Sequence, residues 1–329
     1  MTGPQVKDAP TTESRASARA MLWVVFLLLF VFSYSEEIIG LLFDLVTTAA
    51  HDSWRTQLGW RMLLIAIEIV VLLVVGLKKR TIGRIDGGTP RLWRLWWTGF
   101  GVLVVLETVL SELPFRPSVW VLLAASVVIA TTMGAMMAAS LNADPRALFS
   151  AERRAAHPTD WRRVRAIVPL VLGTFACYLA AIAYNRSLDV DSVRTLPADM
   201  AAQIGALPLA ERLGALEIAC ESAVGSAYFN NVVSVIPLLL LTLGVEFNYF
   251  RRNLRDPAQR ATTAATVAVM SAALVFALST LPFEGQGCND MLSDWHEFLT
   301  FVITVQGISI GLVTLVWLLV SSSPDDNGT

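Results

Sequence analysis

Eight apolar runs dominate the chain, at residues 21–45, 60–77, 95–113, 119–141, 166–184, 232–250, 261–281 and 298–320. A helix needs about 20 such residues to cross a hydrocarbon core, so each run reads as a transmembrane helix. The pattern predicts an all-α, polytopic integral membrane bundle of eight helices spanning 21–320. Residues 1–20 are polar and aperiodic and read as a disordered tail, and 321–329, SSSPDDNGT, as a second one. Arg15 and Arg19 precede the first run as they would in a secretion signal. No small-residue cleavage site follows, and the apolar stretch resumes after Glu37, so the first helix is expected to be uncleaved.

The polar positions within the first run change the picture. Ser33, Glu36, Glu37, Gly40 and Asp44 recur at i, i+3, i+4, i+7 and i+11 and form one stripe on a helix otherwise covered by large apolar side chains. In a bilayer such a stripe must face other helices or a wet cavity. Acidic residues at that depth mark function by default.

Orientation follows from the basic residues. The N-terminal tail and the connections after the second, fourth and sixth helices hold 19 of the 25 Lys and Arg residues. Basic loops stay on the cytoplasmic side, so both termini are expected there. Trp54, Trp60, Trp120 and Trp295 then fall at outer helix ends, and Trp23, Trp93, Trp96, Trp97, Trp161 and Trp317 at or near inner ones. Indole favours those two headgroup levels, and no Trp is forced into the centre.

The longest connection, 185–231, lies outside on this map. Within it Leu209, Leu213, Leu216 and Cys220 repeat at helical spacing beside Glu211, Arg212, Glu217 and Glu221, and Pro208 suits a first turn. An amphipathic helix that caps the bundle or docks a partner is expected. Cys177 lies inside the fifth helix and reads as a small packing residue. Cys220 and Cys288 both fall outside, where an oxidising compartment permits a disulfide between them, two free thiols being the alternative.

Composition agrees with the periodicity: 55% of residues are hydrophobic and 16% charged, and mean hydropathy is +0.58. Arg far outnumbers Lys and Ala is abundant, a usage that points to GC-rich bacterial coding and hence to the bacterial inner membrane. The Arg-rich loops need only topology to explain them; anionic lipid is a suitable contact and nucleic acid is not. The chain holds no GxxxxGK[ST], GxSxG, HExxH or CxxC, and its longest extramembrane segment is too short for a soluble catalytic domain.

The candidate chemistry lies in the membrane. Glu68 occupies the middle of the second helix, and Glu107 and Glu112 the third, with Thr108 and Ser111 nearby. Counting the helical rise places Glu36, Glu37, Glu68 and Glu107 in one central-to-outer layer, with Asp44 and Glu112 closer to the outer entrance. An ionised carboxylate at the bilayer centre costs at least about 2.5 kcal/mol. These groups are therefore expected to be protonated, hydrated or neutralised by a bound cation, and neighbouring carboxylates can share protons. The expected function is a proton- or cation-handling transporter or channel-like protein. A membrane enzyme acting on an envelope substrate is the alternative: His51 and His296, with Asp52, Asp290, Asp294 and Glu297, form an outer cluster that offers weak metal or acid–base candidates. A non-catalytic sensor or assembly partner is a third reading.

Overall fold

The computed structural model describes residues 12–47, 57–86, 89–112, 117–187, 198–208, 211–212, 215, 224, 226–250, 256–281 and 291–321. The helices are α1 (Thr12–Val46), α2 (Leu58–Asp86), α3 (Pro90–Glu112), α4 (Val119–Ser140), α5 (Ala151–Ala156), α6 (Pro158–Ser187), α7 (Ala198–Ala206), α8 (Ser226–Phe250), α9 (Pro257–Thr280) and α10 (Met291–Ser321). No strand occurs among the described residues. Eight of these helices (α1–α4, α6 and α8–α10) are long and apolar enough to cross a membrane. The protein is a multi-pass membrane protein.

Helix ends reach beyond the apolar runs. The first helix starts at Thr12, with Ser17 and Ala20 buried. The second continues through Lys78, Lys79 and Arg80 to Asp86, and the last starts at Met291, which puts Trp295, His296 and Glu297 on its first turns. Apolarity marks the part of a helix that faces lipid. Backbone hydrogen bonding carries the helix further wherever another element covers it.

The most extensive pairings are α6 with α10, α1 with α2, α9 with α10, and α4 with both α3 and α6; α1 also packs on α9. Two apolar cores result. One joins α1–α4 to the near ends of α6 and α9 through residues such as Val25, Leu28, Leu72, Met133 and Val269. The other joins α6, α8, α9 and α10 through Tyr184, Phe229, Ile236, Ala273 and Val302. Small residues bring the helices of the second core close. Gly307 and Gly311, the GxxxG pair of α10, lie against Ala273 and Met270 of α9. A Cβ at Gly173 would lie 2.0 Å from Ile310 Cγ1, in the α6–α10 contact. Gly173→Ala is accordingly expected to cost about 1–3 kcal/mol of stability. Ile310→Ala in the same chain should recover most of that loss by vacating the space the methyl needs. The thermal unfolding midpoint of each variant in detergent checks the pair.

On the Arg-rich face, α4 ends at Ser140 with Leu141 as its cap, and Asn142, whose φ is 55°, makes the left-handed turn that follows. The terminal carbonyls of the helix attract cations. Lys79 Nζ donates to Ala139 O, and Arg163 Nη1 donates to Leu141 O at 2.8 Å. The two Asp-Pro pairs are helix starts, since Asp144 and Asp256 cap the turns that begin at Pro145 and Pro257. Capping accounts for the echo between the two connections.

In the long connection the longest described stretch is 198–208, which holds α7 and precedes most of the amphipathic pattern. Most of 209–221, Cys220 and Cys288 lie outside the described residues.

Candidate functional site

The polar stripe of α1 turns inward as its neighbours require. Ser33, Ile39, Gly40 and Phe43 are buried, while Ile38, Leu42 and Leu45 on the opposite side are exposed as lipid-facing residues would be. Glu36, Glu37 and Asp44 are half-buried.

Glu68 is the most deeply placed of the carboxylates. Helix α2 lies at the periphery and buries only a narrow stripe, Leu64, Glu68, Leu72, Val75, Lys79 and Ile82, while Val70, Leu73 and Leu77 are exposed. Two of the six positions on that stripe can carry charge. The Glu68 side chain is 4% exposed, and its Oε1 accepts a hydrogen bond from Ser35 Oγ of α1 at 3.0 Å. Glu36 lies within electrostatic reach of Glu68. Tyr178 of α6 lies within reach of Glu36, Glu37 and Glu107. Glu36 of α1 is therefore within reach of both Glu68 of α2 and Tyr178, and Tyr178 also of Glu37 and of Glu107 of α3.

Uncharged polar groups border these acids. Tyr34 donates to Gln306 Oε1 of α10, and Gln306 Nε2 donates to Ser33 Oγ at 2.8 Å. The amide is held at both ends, which fixes its orientation. Tyr178 donates to the carbonyl of Phe32, and Cys177 Sγ lies 3.7 Å from the carbonyl of Ser33. Helices α6 and α10 thus hold α1 at the turn that carries the acids. Tyr34, Ser35, Tyr178 and Gln306 are the members that sequence reasoning missed. Gln306, a long polar side chain within ITVQGIS, is the signal that could have found this border.

The remaining candidates separate from this group. Asp44 accepts from Trp295 Nε1 at 2.8 Å, a tie between the far end of α1 and the start of α10. Glu112 ends α3, and its side chain, like His51, lies outside the described residues. His296, a candidate of the outer cluster, is a packed residue on the first turns of α10. Its Nε2 lies 2.8 Å from Ser279 Oγ and its Nδ1 3.4 Å from Thr280 Oγ1, with the ring stacked on Phe276. Ser279 Oγ also lies 2.8 Å from the Phe276 carbonyl of its own helix. The Ser279–His296 pair ties α9 to α10. Glu297 accepts from Val224 N at 2.6 Å and from Tyr184 OH at 3.3 Å, which fastens the end of the long connection to the bundle. No group of three or more metal-ligating side chains occurs among the described residues.

Lys79 differs from the loop residue that the basic run suggests. It is 1% exposed, and besides the bond to Ala139 O its ammonium lies over the Trp93 ring, 4.9 Å from the centroid. The negative end of α4 and an aromatic face supply the stabilisation that a buried cation requires.

The chain matches no known family model, no curated protein and no solved structure.

Proposed function

We propose that the protein moves protons or a small cation through the membrane, with Glu36, Glu37, Glu68 and Glu107 as the carrying groups. The electrostatic reach of Glu36 to Glu68, and of Tyr178 to Glu36, Glu37 and Glu107, is the observation that supports this reading most. The energetics of the arrangement point the same way. An ionised carboxylate at this depth is expensive, and either a proton or a bound cation removes the charge. A carboxylate within electrostatic reach makes a second ionisation more costly, so a proton released by one group is readily taken up by the next. Ser35 steadies the Glu68 oxygen it donates to, and the Tyr34–Gln306–Ser33 chain holds the α1 turn so that the acids keep their spacing. Asp44 lies further along α1 than the four carrying acids, and Glu112 is the last residue of α3. With the positive-inside orientation, the acids occupy the central and outer part of the bilayer and both termini are cytoplasmic.

Purified protein reconstituted into vesicles with a trapped pH indicator, under an imposed potential, provides the test. The wild-type chain should pass protons, or Na⁺ or K⁺ measured with the corresponding indicator. The variant with all four glutamates changed to Gln should fall to the level of empty vesicles. Undiminished flux in that variant, or none for any of the three ions in wild type, overturns the reading.

A further inference from the structure

On the Arg-rich face, away from the carboxylates, α3 and the turn after α4 enclose a cleft of about 690 Å³. Arg91, Arg94, Leu95 and Thr98 line it from one face of α3, at i, i+3, i+4 and i+7, and Asp144 and Arg146 line it from the turn. Asp144 is already committed. It pairs with Arg91 at 3.5 Å and with Arg153 at 3.1 Å, and its side chain also caps the turn through Arg146 N at 3.0 Å. The guanidiniums of Arg94 and Arg146 have no acidic partner among the described residues. The cleft therefore presents two unbalanced positive charges with the forked donor geometry that suits a phosphate.

Its surroundings specify what kind of phosphate. Leu95 contributes an apolar wall, and Trp97, 53% exposed, and Phe149, 88% exposed, are close in sequence to the lining residues, on α3 and after the turn. Aromatic side chains in such positions settle at headgroup level. Further along α3 the exposed residues are Val102, Val105 and Val109, a surface for acyl chains. A ligand that satisfies all of this carries a phosphate at one end and hydrocarbon at the other.

We propose that this cleft binds the headgroup of an anionic phospholipid, with Arg94 and Arg146 on the phosphate and the acyl chains against the lipid-facing side of α3. The site is independent of the carboxylate layer, and its occupancy can be read without any transport assay.

The full-length protein in detergent, titrated with phosphatidylglycerol and with phosphatidylcholine and read by native mass spectrometry, tests the proposal. Wild type should prefer phosphatidylglycerol. Arg94→Gln with Arg146→Gln should bind it about thirtyfold more weakly, at the strength expected for two lost basic contacts, with phosphatidylcholine binding unchanged. Arg80→Gln with Arg84→Gln, two exposed positions on α2, should leave the preference intact. The proposal is overturned if wild type shows no preference, or if the α2 pair costs as much as the cleft pair, since the positive charge would then act diffusely. It is also overturned if glycerol phosphate, which has no acyl chains, displaces the lipid at equal concentration, because the site would then serve a soluble phosphate.

Discussion

Glu68→Gln alone is expected to reduce flux by about a hundredfold, the lower range of what a positioned proton-transfer group contributes, while leaving the fold as stable as wild type. Gln keeps the shape of the side chain and an oxygen for the Ser35 hydroxyl, so the α1–α2 contact persists. What it removes is the capacity to gain and lose a proton. The same substitution tests the competing reading, in which Glu68 is a neutral side chain that holds two helices together. That reading expects little change in flux from Gln, and a loss of stability from Glu68→Leu, which deletes the hydrogen bond. A functional carboxylate predicts the reverse for Leu: flux disappears and stability holds or rises, because the cost of keeping an ionisable group at this depth is relieved. Thermal unfolding of the same preparations used for flux keeps the two effects apart. A Leu variant that unfolds more easily yet still conducts would assign Glu68 to the scaffold.

The eight crossings were legible because lipid demands continuous apolar surface over a fixed thickness, and few other structures do. The acids were legible for the complementary reason, since charge in such a run has an energetic cost that random placement does not meet. Helix ends were less visible. Lys78–Asp86 and Met291–Glu297 look like loops by hydropathy, yet both continue helices. Lys79 illustrates the cost of that blind spot: the end of α4 that neutralises it comes from residues sixty positions away, and no local pattern announces such a partner. Tyr178 and Gln306 were hidden differently. Single uncharged polar residues occur in many membrane helices, and which face they occupy relative to α1 is decided by the packing of α6 and α10 rather than by spacing within either run.

Arg163→Met is expected to lower stability by about 3–5 kcal/mol, the largest loss predicted for a single residue of this bundle. Its guanidinium joins three elements: Nε bonds Asp256 Oδ2 at 2.8 Å, and Nη1 bonds Leu141 O at the end of α4 at 2.8 Å, all from within α6. Both side chains of the ion pair are nearly enclosed, at 13% and 11% exposure. With Met in place, Asp256 is left as a charge with little water around it, and the α4 terminus loses a donor. Asp256→Asn should cost less, because Asn still caps α9 and Arg163 keeps the α4 carbonyl. The double variant, Arg163→Met with Asp256→Asn, should recover part of the loss of Arg163→Met, since no uncompensated carboxylate remains. Arg153→Met sets the scale for an open pair: its bridge to Asp144 has side chains 41% and 24% exposed, and its removal should cost less than about 1 kcal/mol. Chemical denaturation of the four variants in one detergent gives the ordering directly. Equal losses from Arg153→Met and Arg163→Met would mean that the junction of α4, α6 and α9 is held by apolar packing, and that the enclosed charges at its edge contribute no more than exposed ones.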